Sequence, residues 1–454
     1  AGGYNSVVFN DAVRDNESAV LAMRISSTQS VSDVYLNGLK KSKSNSYVPN
    51  TSRPFRVGAI SDSNINYYFD GDVQEIVVID RALSDQEVQD LHRYISKKWD
   101  MEDLVDSDGD GIVDSSDKDP TNSSVGMDLG SEVGAHSPAA AALIGDLQKD
   151  GHMKLWLNAA SANAVVTDNA NNVVKWVDWS GKLNHAYPAS DAGAPTYLAS
   201  DKAISLDGVD DYLKVPINDE LKLKTHEGKS WSVYMVYENE APASGDTQLF
   251  GNYETSTLPY YGLSIKPDGS LIVGDRTSAG NSESQVLNSD FNIGASGKYS
   301  VIQFWVDNES DKMKMELNGA RKEMDWVQYG DVNSGQNLII GGGQLQRYAK
   351  GKLKEVMMIN GPNLTDAQRT TLNEYLAKKW EMEDVMDSDG DGVPDAIDKS
   401  PTNSAQSLDM DAEVGQYSES AKAVIGAHQE SGTLGLWLVS SANAVVANDV
   451  GKVS

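Results

Sequence analysis

The chain reads as an all-β protein made of two-sheet β-sandwiches in tandem, each closed by one helix at its C-terminal end. Three observations predict this. Short runs rich in Val, Ile, Tyr and Trp alternate apolar with polar residues and are bounded by turn residues. A helical pattern is written twice and follows the strands at the same place each time. The sequence also repeats itself at one long period, and many strands with a single terminal helix imply two packed sheets.

Taking the elements in order, Trp231-Ser-Val-Tyr-Met-Val-Tyr-Glu238 alternates, as do residues 299–306 and 313–317. Asn318-Gly319 is the strongest short hairpin signal, and Lys266-Pro-Asp-Gly269 marks a turn between Leu263 and Val273. The helix starts on a capping box, Ser84 with Glu87 and again Thr365 with Gln368. Apolar residues follow at helical spacing: Val88, Leu91 and Ile95, then Leu372, Tyr375 and Leu376.

After each helix comes an acidic run, Asp106-Ser-Asp-Gly-Asp-Gly-Ile-Val-Asp-Ser-Ser-Asp117 and Asp387-Ser-Asp-Gly-Asp-Gly-Val-Pro-Asp-Ala-Ile-Asp398, with first residues 281 apart (387 less 106). Ca²⁺ takes roughly six to eight oxygens. An EF-hand-like loop supplies them from positions 1, 3, 5, 9 and 12 and the carbonyl of position 7, around a glycine at position 6. Here those places are Asp106, Asp108, Asp110, Asp114, Asp117, the Ile112 carbonyl and Gly111. The second copy offers Asp387, Asp389, Asp391, Asp395, Asp398, the Val393 carbonyl and Gly392. Without metal, five like charges in each run repel and hold the loop open, so the expected cofactor is Ca²⁺. Position 12 is Asp where Glu is usual, a shorter arm that grips with one oxygen or draws the loop tighter.

The run resembles the thrombospondin type 3 repeat, D-x-D-x-D-G-x-x-D-x-x-D continuing into a segment that ends in proline. This chain continues Lys118-Asp119-Pro120-Thr121-Asn122 and Lys399-Ser400-Pro401-Thr402-Asn403. Where animal members often place a cysteine before the proline, Asp119 or Ser400 stands, which removes the disulfide and leaves the calcium role.

The same period links Tyr94-Ile-Ser-Lys-Lys-Trp-Asp-Met-Glu-Asp103 with Tyr375-Leu-Ala-Lys-Lys-Trp-Glu-Met-Glu-Asp384, Leu36-Asn37-Gly38 with Leu317-Asn318-Gly319, and Leu155-Trp156-Leu157 with Leu436-Trp437-Leu438. Residues 1–100 are therefore expected to form the C-terminal part of a sandwich, 101–122 a calcium linker, 123–149 a connecting segment, 150–381 a complete sandwich, 382–403 a second linker, and 404–454 the start of the next repeat. Neither flank has a counterpart of residues 174–281, so the two ends cannot complete one sandwich by exchange. The expectation is an excerpt of a longer array.

Leu155-Trp-Leu-Asn158, Trp176-Val-Asp-Trp-Ser-Gly181 with Asn184-His185-Ala186, Leu206-Asp-Gly-Val-Asp-Asp-Tyr212, and Phe69-Asp-Gly-Asp-Val-Gln-Glu-Ile-Val-Val-Ile-Asp-Arg-Ala-Leu-Ser84 resemble laminin G-like, concanavalin A-like lectin/glucanase domains of bacterial surface proteins. In series with thrombospondin type 3 linkers, such domains are similar to large adhesins and surface fibres. The resemblance implies a cell-surface filament or stalk whose partners are neighbouring repeats of the same or like chains, with glycans as a further ligand class.

Composition narrows the function. A net charge of −29 disfavours nucleic acid and anionic membranes, and no apolar run is long enough to insert. The chain has no cysteine, so calcium takes the place of disulfides as a staple. Abundant calcium outside cells places the protein there, although the chain begins at Ala1 without Met or a targeting segment.

Catalysis is not expected. The E-x-D-x-E triplet of glucanases on this scaffold is missing, and Glu316 and Glu355 stand singly, as on a solvated face. H-E-x-x-H, a P-loop and G-x-S-x-G are also missing, and the six histidines show no ligand spacing. A polysaccharide hydrolase is thus the remotest alternative. For a multivalent lectin, rim loops would combine carboxylates, amides and a stacking aromatic: Trp179, Asn184, His185, Asp207, Asp210, Asp211, Tyr260 and Tyr261. The turn Asp207–Asp211 is also a candidate for a further calcium. What recurs most faithfully is the junction Lys-Lys-Trp-x-Met-Glu-Asp with its loop. Trp99 and Trp380 are expected to help set a fixed angle between neighbours.

Overall fold

A computed structural model describes residues 18–26, 31–44, 57–58, 68–109, 112–115, 117–122, 128–161, 164–190, 192–217, 221, 230–240, 245–252, 260–276, 282–286, 293, 297–307, 312–325, 336–343, 347–390, 393–403 and 417–430. The fold is all-β, and the chain divides into two compact units, Ala1–Gly126 and Met127–Ser454.

In the N-terminal unit, β1 (Leu21–Ser26), β2 (Val31–Leu36) and β3 (Leu39–Ser44) form an antiparallel sheet in that order. The β2–β3 turn has Asn37 at φ 49° and Gly38 at φ 91°, the left-handed pair that an Asn-Gly hairpin adopts. Helix α1 (Asp85–Lys98) opens on the expected capping box, Ser84 and Glu87 each bonding the other's backbone N–H. After the helix, Asp100 turns left-handed (φ 52°) and Met101 N–H returns to the Ser96 carbonyl at 2.8 Å. That reversal drops Met101 and Val105 into a small core with Val20.

The C-terminal unit begins with α2 (Leu129–Glu132) and α3 (Pro138–Lys149), where a connecting segment was expected. The start of α3 has a chemical reason. Ser137 accepts from Ala140 N–H as N-cap, and Pro138 follows in the first turn. The strands are β4 (Met153–Asn158), β5 (Val165–Thr167), β6 (Val173–Trp176), β7 (Tyr187–Pro188), β8 (Thr196–Leu198), β9 (Ala203–Asp207), β10 (Leu213–Val215), β11 (Ser230–Asn239), β12 (Thr247–Gly251), β13 (Tyr260–Ile265), β14 (Leu271–Arg276), β15 (Ser282–Val286), β16 (Tyr299–Asp307), β17 (Lys312–Leu317), β18 (Ala320–Asp325), β19 (Leu338–Ile340) and β20 (Lys350–Gly361).

One sheet runs β18-β17-β16-β11-β20-β9-β8, with β4 also paired to β20; the other runs β15-β14-β13-β12-β19-β10-β7. Their inner faces share one core, with Val233, Met235, Phe304 and Val356 from the first and Phe250, Leu263, Val273 and Ile340 from the second. Phe250 meets Phe304 edge-on at 5.9 Å between centroids. The turn at Lys266–Gly269 brings Leu263 opposite Val273.

Helix α4 (Asp366–Lys379) opens on its expected capping box and covers the outer face of the first sheet. Its Arg369 lies 4.0 Å above the Trp305 ring and donates to Ser232 on β11. Consequently β11 is buried along its whole length, although its sequence alternates. Helix α5 (Glu419–Glu430) is the 281-residue counterpart of α3.

Candidate functional site

Both acidic runs are seated on the hairpin turn of the sheet that precedes them. In the N-terminal unit Asp106 N–H donates to the Asn37 carbonyl at 3.0 Å; in the C-terminal unit Asp387 N–H donates to the Asn318 carbonyl, also at 3.0 Å. Each asparagine is fixed from behind. Asn37 N–H bonds the Val20 carbonyl and its amide oxygen receives Val20 N–H, and Asn318 does the same with Val301. The glycine that follows lets the chains touch, because a Cβ on Gly38 or Gly319 would overlap the carbonyl oxygen of Asp106 or Asp387. Both glycines have φ 91°.

Within the loops the ninth position is a brace. Asp114 accepts Ser107 N–H (2.7 Å), Ser107 Oγ (2.7 Å) and Ser96 Oγ (2.8 Å). Asp395 repeats the two serine contacts with Ser388 at 2.7 and 2.5 Å, but position 377 is alanine and the third is lost. Burial pushes the Asp395 carboxyl up to about 6, against the Ser388 hydrogen bonds and with the help of nearby Asp387 and Asp389. First-position Asp106 and Asp387 each take the N–H of the glycine three residues on, at 2.7 and 2.8 Å. Asp117 and Asp398 take the N–H two residues on, each at 2.8 Å. Asp106, Asp108 and Asp114 are buried, as is Ile112 at the carbonyl position; Asp389 and Val393 are half-buried.

The donor set, carboxylates with one backbone carbonyl, suits a hard cation. Asp110, Gly111, Asp391 and Gly392 lie outside the described residues. The described loop carboxylates do not bring three oxygens within 4.8 Å of one another.

The described residues that do so are Asp207, Asp210 and Asp211, at the turn between β9 and β10. Asp207 and Asp210 are exposed, whereas Asp211 is buried and receives Asp207 N–H at 3.0 Å. Burial, reinforced by its two acidic neighbours, raises the Asp211 carboxyl to about 6. Beside the turn, the Tyr212 and Tyr348 rings lie 5.9 Å apart.

Of the other expected rim residues, Trp179, Asn184, His185 and Tyr261 are interior. Trp179 is 3% exposed and packs edge-on against Trp156. Asn184 and His185 belong to a buried network around Asp178, which sequence reasoning passed over. Asp178 accepts Trp156 N–H, Ser180 N–H and Oγ, and Asn184 N–H, while its own N–H donates to His185 Nδ1. Burial holds His185 well below its usual range, so the ring stays neutral and able to accept. Tyr261 sits in the core, and the side chain of Tyr260 lies outside the described residues. The expectation of a glycan rim at Trp179, Asn184, His185 and Tyr261 therefore gives way: these side chains hold the sandwich together. The signal was in the sequence, since an aspartate between two tryptophans and a Ser-Gly turn has several backbone N–H groups to collect.

Glu316 and Glu355 are buried too, not solvated as expected. Glu355 accepts from Trp156 Nε1 (2.7 Å), Tyr375 OH (3.2 Å), Lys379 Nζ (2.8 Å) and Trp380 Nε1 (2.7 Å). Glu316 is held by Arg321 and Asn373. Trp380 thus points its indole N–H into its own sandwich, and Trp99 does likewise toward Glu75.

No protein-family model and no curated protein matches the chain. Among solved structures it is similar to the botulinum neurotoxin serotype D binding domain, at 14% identity over 52% of this chain and 52% of that one, TM-score 0.36. It is also similar to domain 4 of AbnA, a GH43 extracellular arabinanase from Geobacillus stearothermophilus in complex with arabinotriose, at 18% identity over 48% and 95%, TM-score 0.34. A third is the CBM40 of Ruminococcus gnavus IT-sialidase bound to α2,3-sialyllactose, at 13% identity over 32% and 86%, TM-score 0.27. The chain spans about half the length of the first solved structures it matches. These likenesses are too distant to carry residues across.

Proposed function

We propose that the chain is a calcium-stabilised extracellular repeat protein, part of a cell-surface fibre or adhesin stalk, in which residues 101–122 and 382–403 are the joints. The observation that carries this reading is the seating of each acidic loop on the Asn-Gly turn, reproduced at 3.0 Å in both copies. A loop anchored at its first residue to a rigid hairpin transmits its own order to the sheet. Burying carboxylates such as Asp106 and Asp108 carries a desolvation cost that a bound cation would help to offset. A metal that binds only the folded state adds about 2.7 kcal/mol per site at about a hundredfold excess over its dissociation constant. The reading is non-catalytic, supported by Glu316 and Glu355 being sequestered by structural partners.

Limited digestion with and without chelator tests it. Calcium is expected to protect the chain near Asp106 and Asp387, and identical cleavage patterns would overturn the joint.

A second reading, a calcium-dependent glycan-binding module, is favoured by the acidic triad Asp207, Asp210 and Asp211 lying beside the Tyr212–Tyr348 ring pair. A glycan array probed with and without calcium tests it, with Tyr348→Ala expected to abolish any signal.

A further inference from the structure

The two acidic loops share a backbone framework but differ in how the preceding helix holds them. In both units the loop's ninth and tenth residues bond back to the reversal after the helix. Asp114 N–H donates to the Val105 carbonyl and Asp395 N–H to the Met386 carbonyl, each at 2.7 Å. Ser115 N–H donates to the Glu102 carbonyl at 2.9 Å and Ala396 N–H to the Glu383 carbonyl at 2.8 Å.

The side chains do not match. From α1, Ser96 Oγ donates to the Asp114 carboxylate at 2.8 Å, and Gln89 Nε2 donates to the Asp108 carbonyl at 2.9 Å. The two donors are seven residues apart (96 less 89), two helical turns, and so share one face of α1. Ser96 and Asp114 are both buried, so the hydroxyl meets the carboxylate away from water, where a charge-assisted bond is strong. One period on, α4 carries Ala377 and Thr370 at these places. Alanine has no group to donate, and the threonine hydroxyl falls short of the reach of a glutamine amide.

We propose that Ser96 and Gln89 are positioning residues for the calcium loop at 106–117, which makes it a tighter calcium site than the loop at 387–398. The proposal rests on the calcium reading of both loops and deepens it. Gln89 holds the backbone of third-place Asp108. Ser96, together with Ser107, holds the carboxylate of ninth-place Asp114, a place that in such loops often reaches the ion through water. Side chains that orient metal ligands from behind are worth about ten- to a hundredfold in affinity. Calcium at intermediate levels therefore orders residues 101–122 while 382–403 stay open, and the two joints are graded.

Calorimetric titration of the whole chain with one loop disabled reads each site alone. Asp389→Ala leaves the first loop and Asp108→Ala the second; the first is expected to bind calcium at least about tenfold more tightly. Adding Ser96→Ala and Gln89→Thr to the Asp389→Ala chain is expected to remove that advantage. Conversely, Ala377→Ser with Thr370→Gln in the Asp108→Ala chain is expected to tighten the second loop about tenfold. This gain decides the matter even where Ser96→Ala unfolds the N-terminal unit. Limited digestion of the unaltered chain without calcium needs no ion: cleavage within 382–403 is expected to run ahead of cleavage within 101–122, and equal rates would overturn the proposal. Equal affinities in the two chains, or affinities unmoved by the exchanges, would overturn it and leave the calcium joints standing. No binding by either chain would overturn both.

Discussion

The strands β1–β3 with α1 and the strands β16–β18 with α4 are counterparts one period apart, yet the chemistry between sheet and helix has been rewritten. The N-terminal unit sets Tyr35 edge-on to His92 at 5.5 Å; the C-terminal unit puts Glu316 and Asn373 at those positions, hydrogen-bonded at 3.2 Å. Arg24 in an ion pair with Asp33 gives way to Trp305 under Arg369. Against this, the contact of the acidic loop with the Asn-Gly turn is unchanged to the tenth of an ångström, 3.0 Å in each. Core chemistry tolerates exchange if volume and pairing are kept. The loop contact has no such freedom, because a backbone carbonyl lies where any Cβ would be.

The largest effect expected from breaking this comparison is at the carboxylates Glu355 and Glu75. Glu355→Ala strands the buried ammonium of Lys379 and should cost about 3–5 kcal/mol by denaturant unfolding. Glu75→Ala, at a solvent-screened site, should shift stability little. Equal losses at both would show that the two carboxylates have the same surroundings.

Next is a pH difference. Burial lowers His92 from its ordinary 6.5 to about 4. Between those values the unfolded chain binds the proton and the folded unit does not. Stability of the N-terminal unit is thus fully present above 6.5 and lost as pH falls toward 4, by about 3 kcal/mol. His92→Asn, which copies Asn373, should flatten the profile, and an unchanged slope would place the ring in water. Gly38→Ala or Gly319→Ala should each cost about 1–3 kcal/mol for the left-handed backbone alone and, by pushing Asp106 or Asp387 off the turn, unlike substitutions elsewhere in the hairpins, weaken calcium binding at the adjoining loop. Normal calcium affinity in both variants would uncouple loop from turn.

The hairpins, both capping boxes, the sandwich and the paired strands Leu263 and Val273 were legible because each follows from local rules of turn, cap and alternation. Helix α3 was passed over, although Ser137, Pro138 and the alanines after it spell a helix start. The rim residues were misplaced for a different reason. Whether Trp179 or His185 faces water depends on Asp178 and Trp156, and no spacing in sequence tells which side of a loop is covered. The same holds for Glu355, whose four donors come from two separate segments, β4 and the end of α4.

Calorimetric titration of the full chain with calcium, beside Asp108→Ala and Asp389→Ala variants, is the most direct test of metal at the joints. Binding by the unaltered chain, with each variant losing the share of its own loop and the double variant losing both, is the expected result. Heats that are absent in millimolar calcium, or unaltered in the double variant, would contradict it.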